Sequence, residues 1–270
     1  MKYLLFFTLF ITTVSAYSSG VLIAFGHQNS PYVATKDQIA TGDRNTFRQG
    51  LYVDLVLSAF ELMDIQAKPE FMPIRALKKS LKNYETIDLA VGVNLSQDNY
   101  YYSTPLVEIE NIAITKDMNE FDVDSISDLM PYSIIGREGD YTRLGSTFSK
   151  LYHPKHGSHK SRYSENDNML DLTKKFWNDE TDVIITDRFS FEHYSSALSI
   201  DHNVDEYITY HKIFPIRQRL YVAFKSKKLR DKFNQALETL IFDGSYQKLY
   251  DFYTKTNHVL SHEKHYWRDQ

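Results

Sequence analysis

A mainly apolar run, interrupted only by threonines, extends from Leu4 to Val14 behind Met1, Lys2 and Tyr3 and ends in Val14-Ser15-Ala16 before Tyr17. One positive charge, an apolar stretch of about a dozen residues and small residues at its exit make up a secretory signal peptide; a membrane-spanning helix needs ~20 apolar residues. Cleavage after Ala16 is expected, which would leave a soluble periplasmic chain. Past residue 17 the pattern changes period. Val21 to Phe25 is a continuous apolar run closed by Gly26 and Asn29-Ser30-Pro31, which reads as a buried strand opening into a loop. Leu51, Leu55, Val56, Ala59, Phe60 and Met63 then recur at helical spacing, and a strand is expected from Gln66 to Phe71. Pro73 opens a short helix with Ala76, Leu77 and Leu81 inward and Lys78, Lys79 and Lys82 outward, and a strand follows from Ile87 to Val93. Strand, helix, strand, helix, strand predicts a parallel sheet with helices on its faces.

The pattern restarts near Ser125. A helical turn flanked by Ser125 and Asp128 leads to a strand at Tyr132 to Ile135 and a helix at Tyr141 to Leu151. A helix at Glu165 to Trp177, a strand at Asp182 to Thr186 and a helix at Arg188 to Leu198 continue it. A strand at Arg219 to Phe224 and helices at Lys228 to Ile241 and Tyr246 to Tyr253 close the series, with Gly244 breaking the run. The polar tail after Thr256 is expected to fray.

Composition narrows the function. Removal of residues 1–16 takes away Lys2 and no acid, so 30 basic residues face 35 acidic ones and the formal charge moves from −4 to −5. Nothing here resembles the clustered cations that grip nucleic acid. The absence of cysteine excludes a lipid-modified N-terminal Cys, disulfides, thiolate metal sites and Cys nucleophiles. With 42% hydrophobic residues the mature chain can build two compact units. The 20 tyrosines of the full sequence suit a half-wet cleft, since each is an apolar body with a polar tip.

Several segments in order carry a family pattern: Val21-Leu22-Ile23-Ala24-Phe25 with Pro31-Tyr32; Gly50 at a helix start; Pro73-Ile74-Arg75-Ala76-Leu77; and Ile87-Asp88-Leu89-Ala90-Val91-Gly92. Tyr102-Ser103-Thr104-Pro105, Ser127-Asp128-Leu129, Thr181-Asp182-Val183-Ile184-Ile185-Thr186-Asp187 and Asp243-Gly244-Ser245-Tyr246-Gln247-Lys248-Leu249-Tyr250 complete the set. Together they resemble the extracellular solute-binding proteins of family 3, the polar amino-acid type. The resemblance implies an α/β, two-lobed periplasmic-binding-protein fold of type II. Lobe 1 would comprise 17–116 and 213–256, lobe 2 would be inserted as 117–212, and 257–270 would be the tail. Two crossing strands near Ile114 and Ile213 would form the hinge of a rigid-body closure. The implied role is capture of a small polar solute, an amino acid or a related compound, by a monomer with no cofactor. The partner would be the membrane permease of an ABC-type importer, or a membrane receptor if the protein is a sensor.

On that resemblance Tyr32 would lay its ring on the solute, Asn94 would offer its amide, and Asp187 would hold an amino group. Tyr32 as plain packing and Asp187 as a helix N-cap stand beside those roles. Arg75 either points into the cleft, where its fork would hold a carboxylate, or pairs with an acid of lobe 1. The sequence departs from the family in two places: Leu95-Ser96-Gln97-Asp98-Asn99-Tyr100 lacks the usual carboxylate-gripping Arg, and Gly139-Asp140-Tyr141-Thr142 replaces a Gly-Thr-Thr turn. Arg137, Arg143 or Arg75 would then take over the grip, with Tyr141 and Thr142 at a helix N-terminus where backbone N–H groups favour anions. A dehydratase-like enzyme on the same fold would need Asp187 or Glu138 as its acid or base, and no spacing marks a dyad or triad. His153, His156 and His159, and His258, His262 and His265, read as solvated histidines rather than zinc ligands, since a structural zinc needs four ligands.

Overall fold

The computed structural model describes residues 20–27, 31–33, 50–254 and 261–264; the expected signal peptide, His258 and His265 lie outside the described residues. Strand β1 (Val21–His27) runs parallel between β2 (Ala67–Pro73) and β3 (Leu89–Val93), with Phe25 opposite Phe71 on one side and Val91 on the other. The crossovers are helices α1 (Leu51–Leu62) and α2 (Ile74–Asn83). Strands covered on both faces read as unbroken apolar runs, and Ile23, Ala24 and Phe25 are accordingly fully buried.

After the short β4 (Tyr101–Tyr102) comes β5 (Val107–Lys116), the strand that joins the two halves of the molecule. Its first part, Val107 to Glu110, pairs antiparallel with β10 (Arg217–Phe224), and β10 pairs onward to β3. Its second part pairs antiparallel with β8 (Val183–Asp187) and β9 (Ile208–His211). In the second half β6 (Ile134–Arg137) lies parallel between β7 (Tyr163–Asn166) and β8. Four helices surround that sheet: α3 (Asp140–Arg143), α4 (Ser146–Tyr152), α5 (Met169–Trp177) and α6 (Arg188–Leu198). The chain returns between β9 and β10, and α7 (Lys227–Phe242) and α8 (Ser245–Thr254) finish the first lobe.

The apolar residues sort accordingly. Phe25, Leu55, Phe60, Val91, Val222, Phe224 and Phe233 share one core, whereas Ile114, Ile135, Phe176, Ile184 and Phe191 share another beside Leu129, Phe148, Tyr152 and Val183. The result is a two-lobed α/β fold with the second lobe inserted into the first. Ile114 sits on β5, and Ile213 in the returning stretch between β9 and β10.

Three local expectations are corrected, and one strand, β9, was not expected at all. The helix expected from Tyr141 to Leu151 is two helices, because the chain turns at Leu144 and Gly145, where φ is 101°. The helix expected from Glu165 begins only at Met169: Tyr163 to Asn166 form β7, and the Asn168 side chain caps α5 by accepting from the Leu170 and Asp171 N–H groups. Strand β9 had no apolar signature, since buried Thr209 and His211 stand among its four residues. The tail does not simply fray: β11 (Ser261–Lys264) pairs parallel with β9, Ser261 opposite Ile208 and Lys264 opposite His211. Backbone groups on a sheet edge recruit a strand whatever its side-chain polarity.

Candidate functional site

The loop carrying Tyr32 is docked on the start of α1. The Leu51 and Tyr52 N–H groups donate to the Pro31 and Tyr32 carbonyls at 3.3 and 2.9 Å. Gly50 permits this, because with φ at 108° a Cβ there would come within 2.5 Å of the Tyr32 carbonyl oxygen. Tyr32 is thereby buried, its ring stacked on Tyr52 at 4.7 Å and met edge-on by Phe189 at 5.4 Å.

The hydroxyl of Tyr32 donates to Asp187 Oδ1 at 2.7 Å. Asp187 ends β8 and caps α6, its Oδ1 also accepting from the Ser190 N–H at 2.8 Å and its Oδ2 from the Ser190 hydroxyl at 2.7 Å. The cap and the cleft position therefore coincide in one side chain. Phe189, from the first turn of the same helix, packs into the core of the other lobe. The lobes thus touch through Asp187 and Phe189 on one side and Tyr32 on the other. Burial first, and then the Asp187 charge, hold the Tyr32 and Tyr52 hydroxyls well above their ordinary pKa; Arg137 opposes this at Tyr52. Tyr52 is almost wholly buried, and its hydroxyl has no hydrogen-bond partner among the described residues.

A cavity of 220 Å3 opens beside this contact, bordered by Tyr32, Asp187, Glu108, Glu110, Lys212 and Tyr250, among others. Its wall is stitched by ion pairs, Arg188 to Glu192 at 2.7 Å and Lys212 to Glu110 at 3.8 Å, and the Tyr210 hydroxyl donates to Glu192 at 3.1 Å. A second, wider cleft of 770 Å3 holds Asn94, Arg143, Arg217, Arg219 and Tyr221, and Glu108 borders both spaces. Asn94 is exposed and accepts from Gln218 Nε2 at 3.0 Å.

The turn after β6 differs from expectation. Asp140 Oδ2 accepts from the Arg137 N–H at 2.7 Å, and its Oδ1 is bonded to Arg143 Nη2. Glu165 Oε1 accepts from the Gly139 N–H at 3.1 Å and from the Tyr163 hydroxyl at 2.8 Å. The protein's own carboxylates thus take the Arg137 and Gly139 N–H groups of this turn, and the Thr142 N–H donates to the Gly139 carbonyl at 3.1 Å. Burial pushes both carboxyls up from the usual carboxylate range, against the pull of Arg143 and Arg137 at Asp140 and of the Tyr163 hydrogen bond at Glu165. Tyr141 lays its ring edge-on to His153 at 4.6 Å, and Thr142 donates to the Gly139 carbonyl at 2.7 Å.

The structure therefore brings Tyr32 together with Asp187, and Asn94 together with Arg143, but gives Tyr141 and Thr142 partners inside lobe 2. Arg75 stands in the first turn of α2, and its side chain lies outside the described residues. Sequence reading missed Tyr52 and Phe189, which lie within the two expected helices but were not singled out; the place of Phe189 two residues past Asp187 was the available signal. His153 and His156 stack at 3.6 Å, and the His153 Nδ1 accepts from the Lys155 N–H. The described residues contain no group of three or more side chains placed to hold a metal.

No protein-family model matches the sequence, and no curated protein matches it. Solved structures do. A histidine kinase sensor domain with similarity to periplasmic binding proteins aligns with a TM-score of 0.66 at 13% identity, over 88% of this chain and 96% of that one. The chain has the periplasmic-binding-protein fold. Other structures that share it bind amino acids by their own description. The arginine-, lysine-, histidine-binding protein ArtJ of Geobacillus stearothermophilus aligns with a TM-score of 0.63 at 16% identity, covering 88% of this chain and 96% of its own. The substrate-binding protein of an ABC uptake transporter from Streptococcus pneumoniae, with bound histidine, gives 0.62 at 18% identity, covering 86% and 91%. No helix of the described residues in this binding-protein fold is long and apolar enough to cross a membrane.

Proposed function

We propose that this chain, exported and trimmed after Ala16, captures a small polar solute between its lobes and delivers it to a membrane partner. The observation that carries this reading is the Tyr32 to Asp187 contact, which puts an aromatic ring of one lobe and a carboxylate of the other at the same point. An ammonium group would replace the Tyr32 hydroxyl on Asp187 with a charge-assisted bond, roughly twice as strong as a neutral one. Arg143, which borders the wider cleft with Asn94, would take an anionic end of the same solute while paired with Asp140. An amino acid or a related compound fits this pairing. The ABC-type permease is the first choice of partner. The likeness to a histidine kinase sensor domain favours a receptor as the second. The enzymatic alternative would use Asp187 or Glu138 as its acid or base, and turnover of a bound solute separates it from capture.

A thermal-shift screen of the chain from Tyr17 against amino acids, polyamines, sugars and organic acids tests the reading. A solute at a hundred times its Kd stabilises the native state by about 2.7 kcal/mol. Stabilisation without turnover of the solute is expected; chemical conversion of a hit would make the protein an enzyme.

A further inference from the structure

We infer that the Tyr52 hydroxyl reads the solute, donating a hydrogen bond to an acceptor oxygen on the molecule held between the lobes; this rests on the capture reading above. Tyr52 is 1% exposed and sits in the first turn of α1, fixed on two sides. One face of its ring is stacked on Tyr32, the residue that bridges to Asp187. Its Cε2 edge lies against Gly92, where φ is 77° and a Cβ would come within 3.1 Å of that carbon. Gly92 precedes Asn94 by two residues, so Tyr52 stands between the Tyr32 and Asp187 contact and the strand end that carries Asn94.

The ring alone would do this packing. A phenylalanine fills the same space without a polar atom, yet a hydroxyl is present, buried and unpartnered among the described residues. Burying such a group without a hydrogen bond costs free energy that a solute contact would recover. Burial first, and then the Asp187 charge, hold the proton on this hydroxyl, with Arg137 opposing them. Asp187 already accepts three hydrogen bonds, from Tyr32, the Ser190 N–H and the Ser190 hydroxyl. The proton of Tyr52 is therefore left for an acceptor that the protein does not supply, such as a carboxylate or amide oxygen.

The test is Tyr52→Phe, melted without solute and titrated by calorimetry with the best hit of the screen. The expected result is a melting temperature equal to or above that of the parent chain, with solute affinity lower by about tenfold, a single hydrogen bond's worth. A melting temperature several degrees lower without solute would show that the hydroxyl has a partner within the protein and would overturn the inference. Unchanged affinity for a solute that the parent chain binds would overturn this inference alone. Failure of the parent chain to bind any class would overturn the capture reading, and this inference with it.

Discussion

The hydroxyl of Tyr32 in the first lobe lies 2.7 Å from Asp187 Oδ1 in the second, and the same carboxylate caps helix α6. One side chain therefore anchors a helix within its own lobe and holds the neighbouring lobe.

Removing only the hydroxyl should loosen that hold. Tyr32→Phe keeps the stack on Tyr52 and the edge contact with Phe189 but loses a hydrogen bond to a charged group, worth about 1.5–3 kcal/mol. Urea unfolding should show a loss of that size, and small-angle scattering without solute should show a larger radius of gyration. Identical scattering from the two chains would mean that the contact does not govern how far the lobes open.

Asp187→Ala should cost more than its cleft role alone, because α6 also loses its N-cap, worth about 0.5–2 kcal/mol. Asp187→Asn keeps a side-chain oxygen for the cap. Denaturation should rank Asn above Ala in stability while both lose solute binding. Equal stability of the two variants would contradict the capping role.

Lys116, at the end of β5, is buried and reaches Asp179 Oδ1 at 2.6 Å, Glu206 Oε1 at 3.0 Å and the Trp177 carbonyl at 3.3 Å. Glu206 also has a buried Oε2 without a partner among the described residues, so the lysine is its main compensation. Asp179 stands mostly in water, which lowers the stake. Lys116→Met should cost about 1–3 kcal/mol, short of the ~3–5 kcal/mol seen when a wholly buried pair is broken. Urea denaturation gives the figure, and unchanged stability would contradict this account of the charge.

The buried tyrosines set an alkaline limit. Burial pushes Tyr152 up to about 12 from an ordinary value of 10.0, and burial together with Tyr250 and Glu108 pushes Tyr246 to about 12. The native state then holds these protons more tightly than the unfolded chain, so stability is level below pH 10 and falls as pH rises from 10 towards 12. Absorbance of tyrosinate should rise in two phases, the second coinciding with unfolding. A single phase near pH 10 in a chain that stays folded would contradict it.

The legible parts of this molecule are those where a local rule and the tertiary structure agree. The apolar run ending at Asp187 announced a strand, and the helical spacing after it announced α6, so the capping acid was visible at their junction. Tyr32 was visible because Pro31 and Asn29 mark a loop at a strand end. Strand β9 was hidden because His211 and Thr209 are buried polar residues. His211 is satisfied by Thr115 Oγ1 at 2.9 Å and the Val123 carbonyl at 3.1 Å, contacts made by residues distant in sequence. Asp140 was visible only as part of a turn that departs from the family pattern; its burial goes with the Arg137 N–H and Arg143, which it accepts from. Tyr52 and Phe189 are buried like other core residues, so nothing local sets them apart, and only the meeting of the lobes brings them beside Tyr32. The tail's strand follows from the open edge of β9, which no property of residues 261–264 foretells.

The central claim is capture of one small polar solute between the lobes, and calorimetric titration of the chain from Tyr17 with the strongest hit of the screen tests it most directly. The account predicts saturable binding at one solute per chain, without turnover, abolished by Asp187→Ala. Binding that survives intact in Asp187→Ala, or no heat from any class of solute, would contradict it.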